Sequence, residues 1–436
     1  MSQASEDFSA RPLNRGIEAV DRIEVERLRR VLAAKEPGSS LLELPDEELL
    51  VRLGILLPTD GRRITVAGLL LVGREEHIRA DLPGHEAVYL HMFGDTGYDR
   101  RLDSRRPLLA LIEQFSQTLE PHNRVFTLKL GLFHFEIPDF PEEVCREALL
   151  NALVHRDYTK GVPVYLRQFP DRIELASPGG FYGGVTLENL LGHEPVSRNR
   201  LLAEILQRIR LVERAGMGVK RMYHIMLSFG KEPPAWEVDR DYVRLILRSG
   251  RTVWPAGPVP AAGPNVDETF ARFVAAEGKA GRGLTLHDLL VLTWLKRNRE
   301  VSLADVQRLL QRGENEAREA LNSMALRGLV EPFGQKGGRV YRLSKRIYSR
   351  LSTCVSYTLF RRAEAVYAEN AIMAYLEDMP RDRQYVSNEI VRTLLRVSPD
   401  QARYVLSRLV AKKLLQMRGR GRATRYYKTG QLTVFD

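Results

Sequence analysis

The stretch CREALLNALVHRDY, residues 145–158, combines an apolar helical pattern with three polar side chains at four-residue intervals. Glu147, Asn151 and His155 fall one above another on a single face, because an α-helix turns once every 3.6 residues. The leucines between them point to other faces, where they can pack in a core. A polar row on an otherwise apolar helix is either solvated or lines a site.

The size and composition of the chain indicate a multidomain globular protein. It has 436 residues, of which 44% are hydrophobic, so two to four domains with proper cores are expected. The polar start MSQASEDFSARPLNRG and the lack of any apolar run of about 18 residues predict a soluble cytoplasmic protein. The two cysteines, Cys145 and Cys354, lack the spacing of a zinc site and are expected to be inert core thiols.

The positive charge is concentrated in the C-terminal third. Residues 284–436 carry 28 Lys and Arg against 15 Asp and Glu, a net charge of +13, whereas the whole chain has +11. A basic block of this kind is typical of modules that bind nucleic acid, because contacts from Lys and Arg to phosphate supply most of the non-specific affinity. The alternative is a solvated basic surface without a partner.

The pattern along the chain divides it into regions. Residues 1–249 mix helical and strand-like segments, and the stretch TVWPAGPVPAAGPNVDE has no hydrophobic periodicity, which indicates a linker within 250–283. Two later ranges, 284–345 and 371–436, each predict three helices and then a hairpin containing Gly and Arg. That order is typical of a winged helix-turn-helix, and 346–370 is expected to be a helical connector between the two.

The opening row has residue types suited to nucleotide chemistry. A carboxylate at Glu147 can orient a water, and the side-chain oxygen of Asn151, one turn later, can hold Mg²⁺ against phosphate oxygens. The glycines in SPGGFYGG (177–184) and ERAGMG (213–218) can bring backbone N–H groups close to phosphates where a helix begins. The simpler alternatives are a solvated helix face, turn glycines and a glycine at a helix end.

Four separated phrases, in a fixed order, resemble one known family. PEEVCREALLNALVHRDY resembles its N-box, SPGG its first glycine box, SRNRLLAEIL its intervening segment and ERAGMG its second glycine box. Residues 141–248 are thereby similar to the divergent GHKL-type (gyrase, Hsp90, histidine kinase, MutL) ATP-binding domain of bacterial proteins described as transcriptional regulators, sometimes labelled helicase-related. The resemblance extends from about residue 20 into the C-terminal repeats.

The resemblance implies a fold and a ligand. The fold is α+β: a mixed α/β region at 1–138 packs on a GHKL-like, Bergerat-type α/β sandwich at 139–249, and two winged helices follow. The implied ligand is ATP or a related nucleotide with Mg²⁺. Glu147 then matches the catalytic base and Asn151 the metal ligand, and the nucleotide-binding positions are Asn151, His155, Ser177, Gly179, Gly180, Arg198, Asn199, Gly216 and Gly218.

The sequence departs from the family pattern in two places. Many relatives begin with a Schlafen AlbA-like domain, whereas this sequence resembles them only from the segment that would follow it. In addition, Ser177 stands where the first glycine box of a typical GHKL ATPase has an Asp that binds the adenine amino group. A hydroxyl can accept that hydrogen bond, but it is a neutral and shorter partner. The chain also lacks a G-x-x-x-x-G-K-[ST] phosphate loop, so the helicase label gains no support.

The HRDY phrase allows structural as well as ligand-binding roles. His155 can anchor the structure through buried hydrogen bonds or contact the ligand. Arg156 and Asp157 are expected to form an internal ion pair.

The second C-terminal repeat is the better candidate for contacting DNA. Its third predicted helix, SPDQARYVLSRL, would read bases, and its hairpin would reach phosphates or a minor groove. The candidate residues on the helix are Gln401, Arg403, Tyr404 and Arg408, and those in the hairpin are Arg418, Arg420, Arg422, Arg425 and Lys428. The first repeat has an acidic third helix and suits a protein contact equally well.

Three functions are consistent with these features. The leading hypothesis is a DNA-binding transcriptional regulator whose degenerate GHKL-like domain senses a nucleotide. The alternatives are a slow Mg²⁺-dependent ATPase acting on or stimulated by DNA, and a scaffold in which an inactive GHKL fold serves protein interaction. A homodimer is expected, since a two-fold protein reads two DNA half-sites, with the 346–370 connector as one candidate contact.

Overall fold

The computed structural model describes residues 7–58, 62–130, 133–212, 216–250, 266–298, 300–333, 339–351, 368–377, 379, 384–395, 399–419 and 424–429. The chain forms two compact units, Met1–Leu286 and His287–Asp436. Within the described ranges, no helix has the length and apolar character needed to cross a membrane. Cys145 is buried, in agreement with its prediction as a core thiol, whereas Cys354 lies outside the described residues.

The first unit contains helices and strands in a mixed order, which confirms the predicted α and β character. The helices are α1 (Arg22–Lys35), α2 (Asp46–Leu53), α3 (Val66–Val72), α4 (Glu75–Asp81), α5 (Leu108–Leu119), α6 (Glu142–Val154), α7 (Arg200–Arg208), α8 (Met217–Ser228) and α9 (Glu268–Lys279). The strands are β1 (Ala87–Met92), β2 (Tyr98–Ser104), β3 (Val125–Leu130), β4 (Phe133–Pro138), β5 (Val164–Gln168), β6 (Arg172–Pro178), β7 (Ala235–Val238) and β8 (Tyr242–Arg248).

Six of these strands form one twisted layer in the order β2-β1-β5-β6-β8-β7. β1 and β5 run parallel, and the other neighbours are antiparallel. Side chains alternate across this sheet, so Leu166 and Leu175 are buried in the core that the helices cover. Arg167 and Glu174, the next pair in register, point to the other face. The remaining strands, β3 and β4, form a separate hairpin.

Helix α6 lies at the centre of the unit and carries the polar row. Its apolar residues are buried in the same core as the leucines of β6 and β8. The row points away from that core: Glu147 and Asn151 are half-buried and His155 is exposed. The helix ends at Val154, and the N–H of His155 still donates to the carbonyl of Asn151. The four-residue spacing therefore gives one accessible face.

Three elements of the first unit differ from the sequence-based expectation. Strand β2, YDRRLDS, lies at an edge of the sheet, so most of it is exposed and it lacks an apolar alternation that could reveal it. Strand β7 is only four residues long and forms the other edge. Helix α9 occupies part of the predicted linker 250–283. It forms a helix rather than a linker because its Phe270 and Phe273 are buried in a core. Residues 251–265 lie outside the described part.

Arg156 of the HRDY phrase fixes a loop instead of forming the expected ion pair. It is 0% exposed, and its guanidinium donates to the carbonyls of Gly84, Glu86 and Val162. Its Cζ also lies 5.0 Å from the centroid of the Tyr158 ring. The carboxylate of Asp157 is paired instead with another arginine in the site. Buried carbonyls of an irregular loop need donors, and one planar guanidinium supplies several.

The second unit consists of two similar runs of elements. The first run is α10 (Leu286–Arg297), β9 (Val301–Ser302), α11 (Leu303–Leu310), α12 (Glu314–Leu326), β10 (Val330–Phe333) and β11 (Val340–Leu343), with a sheet in the order β10-β11-β9. After α13 (Lys345–Leu351), the second run is α14 (368–377), α15 (Asn388–Leu395), α16 (Pro399–Ala411), β12 (Leu415–Arg418) and β13 (Arg425–Lys428). The middle of the predicted connector, 352–367, lies outside the described residues.

The buried His85 should make stability depend on pH. Burial lowers the pKa of His85 from 6.5 to about 4, so the folded protein keeps the ring neutral while the unfolded chain protonates it. The unfolded state therefore binds more protons between these values, and stability falls as the pH drops through this window, by up to about 3 kcal/mol. Urea unfolding followed by circular dichroism at pH 7, 5.5 and 4.5 measures this loss.

The matched variant is His85→Gln, which keeps a side-chain donor for the Arg106 carbonyl that Nε2 contacts at 2.9 Å but cannot titrate. Its stability should decline less steeply between pH 6.5 and 4 than that of the wild type. Equal slopes would show that His85 contributes no linkage.

Candidate functional site

Glu147 and Asn151 contact each other along α6. The amide nitrogen Nδ2 of Asn151 donates to the backbone carbonyl of Glu147 at 2.9 Å and to its carboxylate oxygen Oε1 at 3.1 Å. These bonds use the donor end of the amide and leave its oxygen as the acceptor end, assigned from the hydrogen-bond pattern. The carboxylate is therefore held in place and the carboxamide oxygen is the atom suited to a metal ion.

The first turn of α8 packs directly on the carboxylate of Glu147. An added Cβ at Gly218 would lie 1.7 Å from Oε1 of Glu147, so any side chain at this position requires the Glu147 side chain to move. Gly216, the N-cap of α8, has φ +61 and lies beside Pro195. A carboxylate at a helix N-terminus is favourable, because the helix dipole and the unpaired N–H groups there attract negative charge. The second glycine phrase therefore packs against the polar row, and its contact with phosphates stays a prediction.

The SPGG turn is held by the β7–β8 turn and not opened towards a ligand. The N–H groups of Gly179 and Gly180 donate to the carbonyls of Asp241 and Arg240 at 2.8 and 3.1 Å. Gly179 has φ +93, and a Cβ at Gly180 would lie 2.5 Å from the carbonyl oxygen of Asp239. The turn therefore requires glycines for close backbone approach. The prediction that these two N–H groups face phosphates is therefore wrong, because both already donate to backbone carbonyls.

Ser177 binds the helix that it faces. It is 9% exposed, and its hydroxyl donates to the backbone carbonyl of Ala152 at 2.7 Å. The single hydroxyl proton is thereby used. Only the oxygen lone pairs remain to accept a bond from a ligand amino group.

Arg198 joins the loop that follows the SPGG turn to the HRDY phrase. Its Nη2 donates to the carbonyl of Gly180 at 3.0 Å, and its Nη1 lies 3.6 Å from Oδ2 of Asp157. Its Cζ also lies 4.9 Å from the centroid of the Tyr182 ring. Asp157 in turn donates its backbone N–H to the carbonyl of Pro178 at 2.9 Å. The positive charge of Arg198 is thus placed next to the turn, and among the described residues the partly exposed carboxylate of Asp157 is the one that pairs with it.

Asn199 closes the end of α6. It is 1% exposed, and its Nδ2 donates to the carbonyls of Val154 and Arg156, both at 2.8 Å. Its oxygen Oδ1 is buried and has no hydrogen-bond partner among the described residues. The side chain therefore positions the helix, and the unused oxygen leaves one acceptor without a donor.

His155 lies at the open end of the row. Solvent reaches its ring, yet enough protein surrounds it to lower its pKa from 6.5 to about 4, first through desolvation and second through the charge of Arg198. The imidazole is therefore neutral at pH 7 and can exchange hydrogen bonds with a ligand, but it supplies no positive charge.

The residues around the polar row fit a nucleotide with Mg²⁺ in part. The Asn151 oxygen suits the metal, the Arg198 guanidinium suits a phosphate, and the Glu147 carboxylate can orient a water. Asn199 Oδ1 and Arg198 Nε are buried polar atoms that have no hydrogen-bond partner in the part of the chain that the structure describes. The fit is poorer at the SPGG turn and at Ser177, whose hydrogens are already used within the protein.

The sequence did not predict two residues that contact Arg198. Asp157 holds Arg198, and Tyr182 places a ring under the same guanidinium. The signal for Asp157 was its place in HRDY, but the partner chosen for it was its neighbour Arg156. Adjacent residues seldom meet when one side chain is buried and the next is not, and pairing across 41 positions cannot be read from spacing.

The DNA-binding candidates are only partly described. On α16, Arg403 is exposed and Tyr404 is 69% exposed, while Arg408 is half-buried. In the hairpin, Arg418 is exposed, Arg425 is half-buried, and Lys428 pairs with Glu377 at 2.6 Å. The side chain of Gln401 and the residues Arg420 and Arg422 lie outside the described part. The exposed positive groups on α16 and β12 thus remain the strongest candidates.

Comparisons with known proteins agree with an ATPase-type domain. Residues 161–247 match the family described as "Putative ATP-dependent DNA helicase recG C-terminal", and residues 1–87 match a domain of unknown function, DUF8451. The first match supports an ATP-binding, helicase-related domain; it includes the glycine phrases and begins after α6. No protein of the curated set matches the chain.

A crystal structure resembles the fold over most of the chain. It is that of the DIP2311 protein from Corynebacterium diphtheriae, with a TM-score of 0.65 and 24% sequence identity, over 81% of this chain and 67% of that chain. At this identity the likeness concerns the fold alone.

Replacing Gly218 by Ala should displace the Glu147 carboxylate and leave the fold intact. The new Cβ would meet the flexible end of Glu147, so that side chain must adopt another rotamer. We expect the free energy of unfolding to change by less than about 1.5 kcal/mol. The thermal shift produced by a Mg²⁺–ATP analogue should fall. Gly161→Ala is the control, since a Cβ there has nothing within 4 Å; equal thermal shifts in both variants would contradict the expectation.

Proposed function

We propose that this protein is a DNA-binding transcriptional regulator. In this proposal a degenerate GHKL-like domain, residues 139–249, binds a nucleotide with Mg²⁺. Two winged helix-turn-helix domains, 284–345 and 371–436, bind double-stranded DNA. The region 1–138 packs on the nucleotide domain, and 250–283 and 346–370 connect the parts. The observation that carries the nucleotide proposal is the packing of α8 on Glu147, which joins the second glycine phrase to the polar row.

The match of residues 161–247 to an ATP-binding, helicase-related family supports the same proposal. Ser177 weakens the part of the site that would recognise adenine, since its proton is donated to Ala152. Base selectivity is therefore low, and the phosphates and the metal provide most of the binding. Restoring an Asp at 177 would place a carboxylate against the Ala152 carbonyl, which is unfavourable.

The DNA proposal is supported by charge and by the order of elements. Each run in the second unit has three helices followed by a two-stranded hairpin, the order expected of winged helices. The net charge of +13 in residues 284–436 suits a polyanion. We also propose a homodimer, because two copies would read two half-sites.

A slow Mg²⁺-dependent ATPase is the second candidate. The observation that supports it is the half-buried Glu147 carboxylate, which accepts a hydrogen bond from Asn151 at 3.1 Å and could act as a general base. Binding and hydrolysis can be separated because the two side chains have different roles. A scaffold is the third hypothesis, and it predicts neither nucleotide binding nor hydrolysis.

Variants of the polar row should distinguish these functions. Glu147→Gln removes the base but keeps an acceptor for Asn151, so any hydrolysis should be lost while nucleotide affinity stays within about five-fold. Asn151→Ala should weaken binding only when Mg²⁺ is present, because a metal ligand acts in the ground state. Isothermal calorimetry with a non-hydrolysable ATP analogue, with and without Mg²⁺, measures both effects.

Glu143→Gln is the matched control, since Glu143 is exposed one turn earlier on the same helix. No heat from the wild type at millimolar nucleotide, with or without Mg²⁺, would rule out the sensor and the ATPase and leave the scaffold.

Arginines of the second repeat should affect DNA binding in different ways. Arg403→Ala on α16 should relax sequence preference and cost about 1–3 kcal/mol at one base pair. Arg418→Ala in the hairpin should weaken binding to every duplex and reduce the slope of log K against log[salt] by about 0.9. Fluorescence anisotropy over a salt series checks both.

The charge-matched control is Arg79→Ala, an exposed arginine of the first unit that pairs with Glu75. If Arg79→Ala changes the slope as much as Arg418→Ala, the DNA surface is not in the second repeat.

A further inference from the structure

The hairpin β12–β13 has one face directed to the core and one directed outwards. Leu415, 1% exposed, and Tyr426, 9% exposed, are buried in the core of the second run. The alternate positions point the other way. In register, Arg418 lies opposite Arg425, and Tyr427 is two residues further along the same outward face.

The guanidinium groups of this outward face lie near two tyrosine rings. One ring is Tyr427 of the hairpin, and the other is Tyr385, whose neighbour Val386 is bridged to Tyr426 of β13. The Cζ of Arg418 lies 5.8 Å from the centroid of the Tyr427 ring, and the Cζ of Arg425 lies 5.0 Å from that of Tyr385. The two tyrosine rings are 6.0 Å apart and inclined by 50°. Arg418 is exposed, and the other three side chains are half-buried. These four residues are called the tyrosine–arginine platform.

We propose that the tyrosine–arginine platform binds the unpaired bases of single-stranded DNA. Bases present a π-face only when they are unpaired and unstacked, and they stack on tyrosine rings and on guanidinium planes. A duplex presents edges and phosphates, which suit exposed helix residues such as Arg403 but not a pair of rings. The inference rests on the proposed DNA-binding role of the second unit, and it adds single-stranded DNA as a second ligand of the hairpin, whose Arg418 also reaches duplex phosphates in that proposal.

The charges near the platform are compatible with a polyanionic strand. The platform itself contributes two guanidinium groups. The carboxylate of Glu377 is compensated by Lys428 at 2.6 Å, and Lys428 alternates with Tyr427 and so belongs to the core-facing side of the hairpin. The backbone of a bound strand would therefore meet positive charge on the face where its bases stack.

A purely structural role for the platform gives a different outcome. Cation–π contacts of this kind can also stabilise the hairpin itself. If they only stabilise the hairpin, their loss lowers the unfolding temperature and leaves single-stranded binding unchanged. If the platform binds DNA, the loss of its rings lowers the affinity for the single strand.

The test uses the full chain and two fluorescent probes: an oligothymidine strand of about 15 nucleotides, which covers one binding site, and a mixed-sequence duplex. The double variant Tyr385→Leu, Tyr427→Leu keeps apolar side chains but removes both rings. Since stacking of each base contributes about 1–3 kcal/mol, the single-strand affinity should fall at least about 10-fold. Duplex affinity should stay within about two-fold, and the double Tyr→Phe variant should retain both.

Ultraviolet cross-linking gives a readout that does not depend on the stability of the variants. With a strand that contains 5-bromodeoxyuridine, the wild-type protein should yield cross-linked peptides that include Tyr385 or Tyr427. Cross-links confined to other peptides, or an equal loss of single-strand and duplex binding in the Leu variant, would overturn the platform.

The two proposals fail separately. Duplex binding by the wild type without single-strand binding overturns the platform and leaves the proposed duplex reader in place. Single-strand binding without duplex binding supports the platform and removes the duplex reader. If the protein binds neither probe, both proposals are overturned.

Discussion

The end of helix α6 is the constraint on which the rest of the candidate site depends. A helix leaves its last carbonyls without intrahelical partners, and here side chains from three other segments supply the donors. Ser177 of β6 binds the Ala152 carbonyl, Tyr158 binds that of Leu153 at 2.9 Å, and Asn199 binds that of Val154. The sheet, the HRDY loop and the segment before α7 therefore converge on one helical turn. The orientation of the polar row follows from this convergence.

The same contacts explain why a serine is well placed at 177. A hydroxyl can donate to a carbonyl, whereas an ionised carboxylate cannot. The serine thereby strengthens the anchoring of α6. Under the proposed function, the same contact favours fixed geometry over selectivity for the base.

Sequence patterns predicted the regular parts of the fold well and the contacts poorly. The buried strands β5 and β6 and the helices α6 and α8 were predicted because their apolar periodicity reflects burial on one face. The edge strand β2 was missed because its exposed side chains need no such pattern. Arg156 was assigned the wrong partner, since its three acceptors are backbone carbonyls, which sequence cannot display. The glycines were recognised, but not that the N–H groups at 179 and 180 are already used.

The absence of space at Gly218 links the evolution of two positions in different helices. While Glu147 keeps its present rotamer, only glycine fits at 218. A chain that lost the carboxylate to a small residue would release that restriction, and larger side chains at 218 would then become tolerable. The effects of changes at the two positions are consequently non-additive. Under the proposed function, homologues that no longer bind a nucleotide should differ from this sequence at positions 147 and 218 together.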